Sequence, residues 1–367
     1  MSIGINSSRL KIARSRRKMS LKALSEATDL TTRIISAYEN GNSSYIPKPE
    51  TITAIANALK YPESFFTKSE DMDILPSDTV SFRSLKSMKA KDEQAAISAG
   101  SIGVDLFCYF ESLVSFIPTP NLPDLRGMRP AEAADFIREY WDIGALSISN
   151  VVHLLEKNGV RVLTLAENTI AVDAFSFWRN NTPYVFLNTQ KSGERSRFDA
   201  AHELGHLLMH KHGSPQGRDV EKEADEFAAH LLMPTSTIAS LKGRIFTVDD
   251  VISFKKKWKV SAMGLIVHSK NLGIITEWQY RNLIIDASKL GLRKKEIDGI
   301  PHEKSGLIPV ILKEIKRKTN KDLVHIANDL SLPLTELTNL IFKATQVIEN
   351  KDQYKSNAIK PNLYLVK

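Results

Sequence analysis

Residues 195–210 read RSRFDAAHELGHLLMH, and residues 221–234 read EKEADEFAAHLLMP. The first stretch contains His202, Glu203 and His206 in the pattern H-E-x-x-H. On a helix, His202 and His206 lie about 40° apart around the axis and one turn apart along it, so both imidazoles can reach one metal ion. Glu203 projects to the side, where it can reach a water on that metal. Leu204, Leu207 and Leu208 supply a buried face, and Gly205 permits close packing of another segment near the metal.

A catalytic zinc needs a third protein ligand and an open position. In the second stretch Glu221 and Asp225 are four residues apart and share a helix face. Glu223 is turned about 200° from Glu221 and cannot share it. Glu221 is therefore expected to ligate the metal, and Asp225 to hold the outer ring nitrogen of a ligand histidine, as carboxylates behind metal sites do. Glu223 stays open as the alternative third ligand. H-E-x-x-H followed by E-x-x-x-D on a second helix is an arrangement of the gluzincin type. His210 and His212 read as surface residues or partners of the helix C-terminus, and His230 as a polar core residue.

Upstream of this pair, VRVLTLA, AVDAFSFW and PYVFLNT are rich in β-branched and aromatic residues and read as three strands. Helices PAEAADFIREYWDIG and ISNVVHLLEKNG precede them, ending at Gly144 and Gly159. The middle of the chain thus reads as α+β, a small sheet beside helices. Residues 9–66 read as short helices. Ser20 and Thr31 are placed as N-caps and Gly41 as a left-handed terminator, and Ile52, Ile55, Ala56 and Leu59 fall at helical spacing. Residues 67–88 read as a connector and residues 89–116 as a long amphipathic helix. Pro118, Pro120 and Pro123 force an extended crossing. The segment after residue 234 is mostly helical, and DLVHIANDLSLPLTELTNLIF has a helix–turn–helix pattern that any small helical module could give. No internal repeat is seen.

At 367 residues the chain is long enough for two or three domains. Its single cysteine, Cys108, excludes an intramolecular disulfide and a cysteine-based zinc cluster, and fits a reducing compartment. The beginning of the sequence shows no apolar leader, and no run of 18 apolar residues occurs, so a cytoplasmic protein without membrane partners is expected. Residues 1–60 hold ten Lys/Arg against four Asp/Glu, a net +6 of the chain's +8. That asymmetry points to a basic, phosphate-seeking N-terminal module on a nearly neutral body, with a solubilising face as the plain alternative.

The metal-site stretches, with VSFRSLKSM, the NLPDL segment and KWKVSAMGLIVHSKNLGIIT, resemble the ImmA/IrrE family of metallopeptidases. The N-terminal segment resembles the Cro/repressor-type (XRE) helix-turn-helix. The resemblance covers about residues 9–280 and implies a multidomain chain. It would have an all-α helix-turn-helix N-terminal domain (1–68), a linker and long connecting helix (69–128), an α+β zincin-like, gluzincin-type peptidase domain (129–280) and a helical C-terminal region (281–367). It implies one zinc ion per chain on His202, His206 and Glu221, and Glu203 as the catalytic glutamate. The expected partners are a double-stranded DNA operator and a protein substrate, a transcriptional repressor.

The expected chemistry is hydrolysis by a zinc-activated water, with Glu203 as the base that later protonates the leaving amine. Tyr184, Arg197 and His230 are candidate oxyanion donors, and AVDAFSFW could offer an edge to an extended substrate. In the repressor-like reading TTRIISAY enters the major groove, with Thr32, Arg33 and Ser36 at its early exposed positions and Ala37 facing DNA. Arg9, Arg14, Arg16, Arg17 and Lys18 are phosphate-contact candidates. Such modules commonly pair two half-sites, so a homodimer is expected. The competing function is a repressor or antitoxin-like autoregulator whose metal fold senses rather than cuts. A peptidase whose N-terminal helices hold a protein partner is a third.

Overall fold

A computed structural model describes residues 4–42, 46–84, 89–165, 172–210 and 218–342. The N-terminal unit comprises α1 (Ser7–Arg16), α2 (Leu21–Thr28), α3 (Thr32–Glu39), α4 (Pro49–Leu59) and α5 (Glu63–Thr67). Ser20 accepts from the Ala23 amide and Thr31 from the Ile34 amide, so each caps its helix as the sequence predicts. Leu10, Leu24, Ile35 and Leu59 are fully buried between these helices.

The stretch read as a connector contains a strand, β1 (Ser81–Ser84). Then come α6 (Ala90–Leu113), α7 (Pro130–Tyr140), α8 (Val151–Lys157), β2 (Arg161–Thr164), β3 (Val172–Arg179) and β4 (Thr182–Leu187). Among the described residues the sheet therefore has four strands where three are expected, in the order β1-β3-β4-β2. β3 runs antiparallel to both its neighbours, and β2 is parallel to β4. Four residues of β1 are too few to show a period-2 pattern, and their pairing partner lies far along the chain.

Alternation along the strands divides the interior into two cores. Phe175, Phe177, Tyr184 and Phe186 face α6, in a core shared with the N-terminal helices and the C-terminal ones. Ala174, Val185 and Leu187 face the opposite way, into a core closed by α9 (Gly193–Met209) and α10 (Arg218–Leu232). A Cβ on Gly103 of α6 would stand 2.6 Å from Leu163 Cδ1 and Phe186 Cζ, so any side chain there would force these core side chains to shift for the helix to lie this close to the sheet.

The chain continues through α11 (Thr235–Ile238), α12 (Val248–Trp258), α13 (Ala262–Asn271) and α14 (Glu277–Lys289). The polar stretch after α14 is laced by buried charge to the elements around the second core, the one closed by α9 and α10. Glu194 accepts from the Ile300 amide at 2.9 Å, Lys255 meets Glu296 at 3.0 Å, and Glu303 accepts from the Val151 amide at 2.7 Å. Three further helices follow, α15 (Leu307–Thr319), α16 (Leu323–Leu330) and α17 (Leu334–Leu340).

These last helices repeat the layout of α1–α3. Lys18 and Asn320 both take the left-handed conformation, Ser20 and Asp322 both cap, and Asp29 and Ser331 are both left-handed, at the same sequence separation in every case. The sequence hides this recurrence because only cap and core positions are shared. The reading of no internal repeat is thereby corrected at the level of structure. Among the described residues no helix is long and apolar enough to cross a membrane.

Candidate metal centre

α9 starts at an N-cap, Ser192, which accepts from the Arg195 amide, and its apolar side is sunk in the core. α10 lies against it because Gly205 has no side chain: a Cβ there would be 3.0 Å from Phe227 Cδ1. This approach brings Glu221 to the two histidines. His202 Nε2 and His206 Nε2 are 3.0 Å apart, and the Glu221 carboxylate oxygens lie 3.4 Å from the first and 3.3 Å from the second. Metal–ligand bonds of about 2.0–2.1 Å in a tetrahedron separate the donors by roughly 3.3 Å. Two imidazole nitrogens and a carboxylate at these separations could hold a metal ion. Among the described residues no other cluster of His, Cys, Asp or Glu could hold a metal.

The histidines are buried, while the Glu221 side chain is 41% exposed, so the donor set opens to solvent on the α10 side. Burial pulls His206 down to about 4, against the upward pull of its bond to Glu221, so the ring is neutral near pH 7. Burial pushes Glu221 upward, but its hydrogen bonds to His202 and His206 outweigh this and hold it well below the ordinary carboxylate range.

Each of the two histidines is held from behind. Asp225 Oδ1 is 2.9 Å from His202 Nδ1. His206 Nδ1 is 3.1 Å from His210 Nδ1, and His210 Nε2 is 2.9 Å from Glu223 Oε2. Glu223, the alternative third ligand, thus braces His210. His210 is drawn from the surface role read in the sequence into a relay behind His206; the signal was its i, i+4 spacing from that residue. His212 lies outside the described residues. Ser176 on β3 donates to Glu203 Oε2 at 2.6 Å, a contact across the sheet–helix interface that no local pattern announces.

The three oxyanion candidates go elsewhere. Tyr184 stacks on Phe177 in the core on the far side of the sheet. Arg197 is buried and bonds Glu303 and the Ile148 carbonyl. His230 meets Thr235 Oγ1 at 3.0 Å and the ring of His268.

In the N-terminal unit, Thr32 and Arg33 are exposed in the first turn of α3 and Ser36 is half-buried beside them. The basic residues of α1 are mostly spent inside the molecule. Arg16, expected at a phosphate, is buried with its Nε 2.5 Å from Glu336 Oε1. Arg17 bonds Glu336 Oε2 at 2.9 Å and the Leu59 carbonyl, and stacks over Tyr61. Arg9 is buried on the Glu70 carbonyl, Arg14 grips Glu39, and Lys18 meets Asp92 at 2.6 Å. Arg16 is thus corrected from a DNA contact to an internal ion pair; its partner lies in α17, beyond reach of a local reading. The cations of residues 1–60 left exposed are Lys11, Lys22, Arg33, Lys48 and Lys60.

Residues 155–266 match the family model described as IrrE N-terminal-like domain, and residues 8–69 match one described as Helix-turn-helix domain. No curated protein matches the chain. The two matches fall on the two units built above. A helix-turn-helix DNA-binding domain of XRE type and an IrrE/ImmA-like, metallopeptidase-like domain are thus matched in one chain.

Proposed function

We propose that the protein is a DNA-binding transcriptional regulator with zinc-dependent endopeptidase activity, directed at a regulatory protein of the repressor type. The observation that carries this reading is the convergence of the His202 and His206 Nε2 atoms and the Glu221 carboxylate to within 3.0–3.4 Å of one another, with Glu203 following His202 on the same helix. His202, His206 and Glu221 would hold a zinc ion, which when bound would supply Lewis acidity for activating water and polarising a peptide carbonyl.

The protein's own residues do the rest. Glu203 accepts the proton of the attacking water and delivers it to the amide nitrogen as the carbon–nitrogen bond breaks. Ser176 holds the Glu203 carboxylate at Oε2 and so fixes its direction. Asp225 and the Glu223–His210 pair orient the imidazoles and raise their basicity. Thr32, Arg33 and Ser36 read the operator from the major groove, and a homodimer spans two half-sites. One zinc per chain and a cytoplasmic location complete the reading, and the mixed domain boundaries near residues 68, 128 and 280 go with it.

The test is co-expression with a candidate repressor. Glu203→Gln should keep zinc and abolish cleavage, whereas His202→Ala should lose both. Undiminished cleavage by Glu203→Gln would remove the catalytic part of the reading.

A further inference from the structure

β3 is the strand that borders the candidate metal centre. Ser176 touches Glu203, and Trp178 Nε1 donates to the Leu207 carbonyl of the metal helix at 3.1 Å. One edge of β3 pairs with β4. The other edge pairs antiparallel with β1, Ser81 opposite Ser176 and Phe82 opposite Phe175. β1 also lies against α9. An extended peptide can bind by adding a strand to a sheet edge, with main-chain hydrogen bonds that do not depend on its sequence. On the outer edge of β3 it would run about 4.8 Å from that strand. Residues directly opposite in an antiparallel pair point to the same face, so the residue opposite Ser176 would stand on the Glu203 side. Ser81 stands there now.

β1 is also a weak occupant. It is four residues long and loses register between Arg83 and Ser84. A two-sided sheet core does not need it, because Phe175, Phe177 and Phe186 are already covered by α6. We propose that the outer edge of β3 is the binding surface for an extended peptide substrate, and that β1 is its intramolecular competitor: the site takes a peptide when residues 81–84 have left the edge. The cleavage of that peptide rests on the peptidase reading above; the strand exchange does not.

The experiment uses the full chain, zinc-loaded and carrying Glu203→Gln to prevent turnover. The probe is a labelled synthetic peptide with the sequence of residues 78–86, followed by fluorescence anisotropy. The double substitution S81P/F82P removes two adjacent amide donors, one of which faces β3 whichever way the ladder alternates. It should bind the peptide at least tenfold more tightly than the parent. In the parent, saturating peptide should raise amide exchange over residues 80–84 while β3 stays protected. This second measurement decides the matter should the proline variant fail to show a cooperative melt. A folded S81P/F82P chain that binds no tighter than the parent overturns the proposal, as does parent saturation without exposure of residues 80–84. A peptide ignored by both chains overturns it too. Cleavage of a co-expressed repressor by the Glu203 forms, with zinc measured, is scored separately. Tighter peptide binding with no cleavage by any zinc-loaded form would keep the surface and remove the peptidase.

Discussion

Arg16 on α1 and Glu336 on α17 form a buried ion pair, 2.5 Å between Nε and Oε1, that joins the N-terminal unit to its structural counterpart at the other end of the chain. Glu336 also takes Arg17 at 2.9 Å. A buried pair is weak evidence of net stabilisation, but breaking one side leaves an uncompensated charge. Glu336→Ala should therefore cost about 3–5 kcal/mol in urea unfolding, and replacing Arg16 and Glu336 together by Met and Leu should recover most of it. A loss under 1 kcal/mol for the single change would show that the pair is not shielded from water.

The same pair separates structural arginine from reading arginine in DNA binding. Arg33 is exposed in the first turn of α3. Arg33→Ala should weaken binding to a selected operator by about 1–3 kcal/mol and relax preference at one base position. Arg16→Ala should leave the slope of log K against log salt unchanged, since its charge is already matched by Glu336. A slope lowered by about one unit would return Arg16 to the phosphates.

Zinc affinity should grade the residues around the metal by their distance from it. Asp225→Ala and His210→Ala each remove support from behind a ligand ring and should weaken zinc about 10–100-fold in chelator competition. Glu223→Gln should behave like His210→Ala, because it acts through that ring. Glu221→Ala should lose stoichiometric zinc. If Glu223→Gln does so instead, the ligand and its brace have been exchanged.

What could be read from the sequence was what is decided within one helix turn or by a local cap. His202 and His206 meet because four residues make about one turn, and Ser20 and Thr31 cap because the amides that donate to them lie three residues away. Glu221 and Asp225 were placed on a common face by the same arithmetic. The relationships that escaped are set by tertiary approach. Ser176 reaches Glu203 only through the packing of β3 on α9, and β1 exists only because β3 offers it an edge. The charge count overstates the free cations of the N-terminal module for a related reason. It counts Arg16 as a free cation, whereas Glu336, 320 positions along the chain, neutralises it in the interior.

A second buried pair gives the protein a pH dependence separate from the metal. His268 is 3% exposed, its ring packs edge-on against His230 at 4.8 Å, and its Nε2 lies 2.9 Å from the Met233 carbonyl. Burial, helped by His230 and opposed by the Met233 bond, pushes His268 down to about 4 from an ordinary 6.5. Above pH 6.5 the ring is neutral whether the chain is folded or not, and its contribution is complete. Between 6.5 and 4 the unfolded chain takes up a proton that the folded chain refuses, so stability falls with pH. From pH 7.5 to 5 the loss assignable to this group is about 2 kcal/mol. His268→Gln keeps a donor for the Met233 carbonyl and has no such titration. Urea unfolding of both forms, with zinc removed so that metal release contributes to neither, should show the variant losing less by about that amount. Equal losses in the two proteins would mean that His268 takes up its proton in the folded state as readily as in the unfolded one.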